Sequence, residues 1–284
     1  MAGVDGCPHR RCPVVDRRTP VRDSRDDSVM SIPINVSSEP EGPAGHTYAA
    51  VLVRVGERSD GREQVISSLR RLRFSGWVAP LQDGWVPVIP AGAGTVAAGR
   101  RGVVGVGEAL AEQVFGPVVA ARVLADRQLV LVAWESGQEV ARYVTDPSRE
   151  PGAEEDVLPY PFGTEGADAI AAVCDRSAVI EELGEVLSEG LDPDQHIESE
   201  RLGRVLRLLG LPSWLVSAWR LPRAMATGPP PRRMLRLRAG RTGVSGWVVG
   251  RAARLARRWR TPPPVLPDPP RGNTGIDDDL AIWL

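Results

Sequence analysis

Two thiols flank an imidazole in Cys7-Pro8-His9-Arg10-Arg11-Cys12, the spacing in this chain that comes nearest to half of a zinc site. A structural zinc needs a second ligand pair. The remaining candidates, Cys174, His46 and His196, are scattered along the chain. No metal and no cofactor is therefore expected, and three cysteines do not make a disulfide framework. Asp168 and Asp175 lie close to Cys174 in sequence. Acidic neighbours raise a thiol pKa, so Cys174 reads as a small buried apolar residue rather than a nucleophile. His196, Glu198 and Glu200 form the acid–base cluster most worth inspecting. A helix N-terminus, where carboxylates complement the dipole, explains the two glutamates more simply.

Other chemistry is excluded more firmly. No Gly-x-Ser-x-Gly elbow, His-Glu-x-x-His or Cys-x-x-Cys occurs. All 35 Lys+Arg positions are arginine. Without lysine there is no Schiff base and no P-loop or kinase-type phosphate lysine, so pyridoxal enzymes, lysine aldolases and Walker-type NTPases are ruled out. Catalysis is not expected, although carboxylate chemistry needs no signature and stays open as a second alternative.

Charge is the stronger signal. Residues 126–200 hold 19 acidic side chains against 4 arginines, and residues 201–260 hold 15 arginines and no acid, within a chain of net charge −1. Either the two blocks face each other within the fold, or the basic block meets nucleic acid or an anionic surface, or it meets an acidic protein. Trp247, Arg251, Arg254, Arg258 and Trp259 are the candidate partner-binding residues, since the arginines fall near one face of a basic helix with the tryptophans beside them. The C-terminal Asp277-Asp278-Asp279-Leu280-Ala281-Ile282-Trp283-Leu284 has the character of an acidic-apolar docking peptide, adding Leu280, Ile282, Trp283 and Leu284.

These candidates need elements to hold them. Residues 47–55, 117–124, 128–134 and 139–144 read as strands, the first as a buried run and the last with one solvated face. Asp60 is a candidate cap for a helix carrying Val65, Ile66, Leu69 and Leu72. Asp83-Gly84 between Trp77–Leu81 and Trp85–Ile89 signals a tight hairpin, with the tryptophans on one face and Pro80 and Pro87 placing it partly at a sheet edge. The glycine-rich residues 90–107 read as a mobile connection into a helix over 108–115, in preference to a phosphate cradle. The fold expected is α+β, a ferredoxin-like βαββαβ core extended by two antiparallel strands. A small helical region and an irregular basic, proline-rich C-terminal segment follow it. One sheet face is left for the C-terminal half or a second copy to cover.

The organisation expected is a disordered leader over 1–45 with Met30 as an alternative start, the α+β domain over 46–146, a linker over 147–164, a helical region over 165–222 and the basic segment over 223–284. No run of about 18 apolar residues exists, so no membrane span is expected. The N-terminus carries no signal-peptide core, so a cytoplasmic location is expected by default. Together these features point to a non-catalytic macromolecule-binding or interaction protein. A protein partner is expected, and a nucleic-acid or anionic-surface binder acting through residues 220–260 is the alternative.

Overall fold

Strands buried on both faces run apolar almost without interruption, as do those over 48–54, 85–90 and 128–135 here, while the one over 118–124 is broken only by Arg122. The computed structural model describes residues 45–266 apart from 57–59, 93, 115, 151–152, 191–196 and 226. In chain order the elements are β1 (Tyr48–Arg54), α1 (Gly61–Arg71), β2 (Gly76–Val78), β3 (Trp85–Pro90), α2 (Val103–Ala111), β4 (Val118–Leu124), β5 (Gln128–Glu135) and β6 (Gln138–Val144). Then come α3 (Ala167–Val173), α4 (Ile180–Ser188), α5 (Glu198–Leu208), a 3-10 helix (Ser213–Arg220), β7 (Leu235–Leu237) and α6 (Gly243–Arg257). The strands form one seven-stranded sheet in the order β6-β5-β4-β1-β3-β2-β7, with every neighbouring pair antiparallel.

The pleat sends alternate side chains to two cores. Tyr48, Ala50 and Leu52 of β1 join Leu129, Leu131 and Ala133 of β5 beneath α3, α4 and α5. Ala49, Val51 and Val53 join Val130, Val132 and Trp134 against α1 and α2. The second face of the sheet is thus covered by the C-terminal half of the same chain. Trp77 and Trp85 share the core beneath α3, α4 and α5.

Asp83 (φ 49°) and Gly84 (φ 79°) both take positive φ between β2 and β3, the conformation of a two-residue hairpin turn that matches strand twist. The prolines do not mark a sheet edge, however. β3 is interior, paired with both β1 and β2. Ala79 donates its N–H to the Pro87 carbonyl at 2.8 Å, but Pro87 has no N–H to return. The Ala79 carbonyl accepts instead from Arg62 Nε at 3.2 Å. A side chain from α1 replaces the missing ladder bond, and β2 stops at three residues.

Three further expectations are corrected. Asp60 makes no side-chain cap to α1. The second helix begins at Val103 and not at 108, because Gly105 and Gly107 are helical. A Cβ on Gly107 would lie 2.8 Å from the Trp134 ring, so glycine is what lets α2 approach the sheet. The connection ahead of α2 is pinned rather than mobile. Val96 accepts from Ser75 N–H at 2.9 Å and donates to the Arg101 carbonyl at 2.9 Å, and Ala98 donates to the Leu72 carbonyl at 2.9 Å.

Candidate functional site

The candidate partner-binding residues between 247 and 259 all lie on or just after α6, and the way α6 sits decides what they can do. β7 leads through Ala239 (φ 50°) and Gly240 (φ 79°) into a reversal. Arg238 and Arg241 close it with mutual backbone bonds of 2.8 and 3.1 Å, and Gly240 donates to the Phe74 carbonyl at 2.7 Å. α6 then runs back over this turn. The residues it buries are Gly246 and Gly250. A Cβ on Gly246 would fall 2.6 Å from the Arg241 carbonyl oxygen, and one on Gly250 would fall 2.8 Å from Arg238 Cβ. With no side chain on the helix at these two positions, its backbone lies directly on the turn and on the stem of Arg238.

At about 100° per residue, the stripe opposite these glycines carries Val244, Val248, Leu255 and Trp259. They are 81%, 57%, 64% and 86% exposed, and Trp247 beside them is 47% exposed. Arg251 and Arg258 border the stripe, their guanidinium carbons 5.8 Å from the ring centroids of Trp247 and Trp259 respectively. The helix therefore turns its apolar side to solvent and rests on its glycines.

A cleft of about 620 Å³ opens between α6, β7 and residues 91–96. Arg236, Arg238, Arg254, Arg257, Arg258 and Arg260 line it with Ser75, Trp77 and part of the glycine-rich connection, and among the described residues no carboxylate joins them. Arg257 is already engaged, donating to Ser75 Oγ at 3.1 Å, Val96 O at 2.9 Å and Arg73 O at 3.0 Å. Arg236 stacks over Trp77 at 5.1 Å. Burial, followed by the repulsion of Arg238 and Arg254, draws the Arg236 pKa below its ordinary value. Among the described residues, the ion pairs of the basic block are Arg201–Glu198 and Arg204–Glu189, and none involves an arginine from Arg207 to Arg260. The two charge blocks meet at α5 and not at α6.

The glutamate cluster sits elsewhere and is differently built. Glu198, the first residue of α5, is fully buried, its Oε2 3.6 Å from Arg201 Nε. Neither carboxylate oxygen has a hydrogen bond of ordinary geometry among the described residues, and the Thr145 hydroxyl nearby favours the charged form only weakly against burial. Burial lifts its pKa to about 7, against the opposing pull of Arg201. Such a value suits a general acid, but a group with no exposed surface meets no substrate. Arg201 also donates to the Tyr143 hydroxyl at 2.8 Å, and Tyr143 donates to the Leu187 carbonyl at 2.7 Å. Nearby, Tyr48 donates to Ser199 Oγ at 2.9 Å, and Ser199 donates directly to Asp126, which also accepts from His46 N–H at 2.6 Å. The His46 ring stacks 3.7 Å from Trp219. A nucleophilic triad needs the imidazole between hydroxyl and carboxylate; here the carboxylate takes the hydroxyl directly. Glu200 lines the outer rim of this region and His196 lies outside the described residues.

Cys174 is buried, and desolvation pushes its thiol up to about 12. Cys7, His9, Cys12 and the C-terminal Leu280, Ile282, Trp283 and Leu284 lie outside the described residues. Among the described residues no group of three or more His, Cys, Asp or Glu side chains could hold a metal ion, and no helix is long and apolar enough to cross a membrane.

Sequence reasoning missed Arg236, Arg238, Arg257 and Arg260 as cleft residues. Arg236 and Arg238 are two apart on a short strand and so share one face, a signal present in the sequence. No family model matches this chain, and neither a curated protein nor a solved structure matches it.

Proposed function

We propose that this is a non-catalytic binding protein that docks a macromolecule on the outer face of α6. The observation that carries this reading is the exposed stripe of Val244, Val248, Leu255 and Trp259, bordered by arginines that have no carboxylate partner among the described residues. Monomeric proteins seldom leave a contiguous apolar patch beside concentrated charge without using it. Trp247, Arg251, Arg254, Arg258 and Trp259 are the docking residues on this reading, and a cytoplasmic setting belongs to it. The four inner strands stand in the order β4-β1-β3-β2 with α1 and α2 on one face. We read them as a ferredoxin-like plait carrying β5 and β6 as an extension, a scaffold that hosts many functions and so argues for none.

The test compares the full chain with its Val248→Ser/Leu255→Ser/Trp259→Ser variant. Retention is measured on three immobilised candidates: a second copy of the chain, a mixed-sequence oligonucleotide and anionic vesicles. Binding to one of them is expected, together with its loss in the variant at an unchanged unfolding midpoint. Equal retention of both proteins removes α6 from the reading. Nucleic acid is the second reading, favoured by the arginine cleft alone. It predicts sensitivity to Arg254→Gln/Arg258→Gln and indifference to the apolar variant.

A further inference from the structure

Resting on the assignment of α6 as the docking face, we propose that its partner is an anionic lipid surface, with α6 lying in the interface plane and the arginine cleft beside it receiving a lipid headgroup phosphate.

Three observations meet here. First, the apolar stripe requires an apolar phase. α6 has 15 residues, about 22 Å of helix, and its outward residues span it from Val244 to beyond its end at Trp259. A nucleic-acid backbone offers phosphate but nothing to bury Val244, Val248 and Leu255 against. The boundary between lipid headgroups and acyl chains offers both.

Second, the borders of the stripe are suited to that boundary. Arg251 and Arg258 lie along its edge, where long side chains can bury their methylenes and keep the guanidinium among phosphates. Trp259 and Trp247 have the apolar ring and polar N–H favoured at such interfaces. Residues 201–260 contain no acidic residue to be repelled by a negative surface.

Third, the cleft opens beside the same helix. Arg254 and Arg258 come from α6, Arg236 and Arg238 from β7 and its turn, and Arg260 from the segment that follows. Arg257 holds the cleft's shape through three hydrogen bonds and does not itself reach for a ligand. Among the described lining residues the remaining five arginines have no acid beside them, an arrangement that the negative charge of a headgroup phosphodiester relieves.

The experiment uses the full chain and vesicles of neutral phosphatidylcholine, alone or with about a third of phosphatidylglycerol, in co-sedimentation. Binding to the anionic vesicles only is expected, with tryptophan emission shifting to the blue as the exposed rings leave water. Binding should fall at least about tenfold between ~0.05 and ~0.5 M salt. Leu255→Ser/Trp259→Ser should weaken it about tenfold or more through lost apolar burial. Arg254→Gln/Arg258→Gln should weaken it by about fivefold per arginine. Circular dichroism and the unfolding midpoint verify that both variants are folded. Absence of binding to anionic vesicles at low salt overturns the lipid assignment. If self-association is then found and Leu255→Ser/Trp259→Ser abolishes it, α6 still docks but its partner is protein. If instead the chain binds an oligonucleotide and that variant leaves it unchanged, both the lipid assignment and the α6 docking face fall. Equal binding to neutral and anionic vesicles overturns the anionic-surface assignment and leaves the arginines of the cleft without a part in it.

Discussion

α5 and α6 are both arginine-bearing amphipathic helices, and they use the same residue types in opposite ways. α5 buries Leu202, Val205 and Leu206 in the core beneath the sheet. It pairs Arg201 with Glu198 and Arg204 with Glu189, both oxygens of which accept from the Arg204 guanidinium. α6 buries Gly246 and Gly250, shows Val244, Trp247, Val248 and Leu255 to solvent, and pairs none of its arginines with a carboxylate among the described residues. An apolar stripe therefore does not say which side of a helix meets the body of the protein. Where glycines recur four residues apart, they can define the contact and leave the apolar stripe for something else.

The contrast is sharpest in stability. Leu206→Ala in α5 is expected to cost about 2–5 kcal/mol, the ordinary range for a buried leucine truncated to alanine. Leu255→Ala in α6 should stay within about 0.5 kcal/mol, as surface changes do. Denaturant unfolding of the two variants measures the gap, and comparable losses would break the comparison.

Titration comes next. Burial raises Glu198 from 4.5 to about 7, so the folded chain holds this proton more tightly than the unfolded one. The stabilisation is complete below about pH 4.5 and is lost as the pH rises through about 7, for a swing of at most about 3 kcal/mol. Glu198→Gln should flatten the dependence of the unfolding midpoint on pH between about 4.5 and 7. An unchanged slope would mean that the carboxylate is not the group responsible.

The glycine contact is tested more locally. Gly246→Val directs a side chain at a backbone carbonyl, which cannot rotate away. It should open α6 by about 1–3 kcal/mol, seen as faster amide exchange over Gly243–Arg257 with the exchange of β1, β4 and β5 unaltered. The smallest effect expected is at Arg62. Arg62→Ala removes the donor that serves the Ala79 carbonyl opposite Pro87 and should cost about 1 kcal/mol. Amide exchange at Ala79, which donates to Pro87, reports it directly.

Much of the sheet is legible in the residues. Uninterrupted apolar runs mark β1 and β5, a run broken only by Arg122 marks β4, and Asp83-Gly84 announces its turn because few residues other than glycine take positive φ easily. What is not legible depends on partners distant in sequence. Pro87 looks like an edge residue until Arg62, supplied by another element, takes over its bond. Gly107 looks like a helix breaker until Trp134 is seen packed where its Cβ would stand. The basic helix could be drawn from its arginines and the prolines after it. Its orientation could not, because orientation depends on the turn over which Gly246 and Gly250 lie. Glu198 reads as a first-turn glutamate, and nothing local signals that the sheet closes over it.

One feature of the C-terminal side sets how α6 can bind. Beyond the helix, Thr95 Oγ1 donates to the Arg260 carbonyl at 2.8 Å and Arg100 to that of Thr261 at 3.2 Å. Val265 then donates to Glu150 at 3.1 Å, accepts from Arg142, and buries its side chain with Leu266. With β7 added to the sheet on its other side, α6 is tethered at both ends. A free peptide of 15 residues would be barely helical in water, and any partner would have to order it. Tethered in this way, the helix and its row of side chains are preorganised before an encounter. Ordering entropy that a flexible arm would lose on association is lost during folding instead.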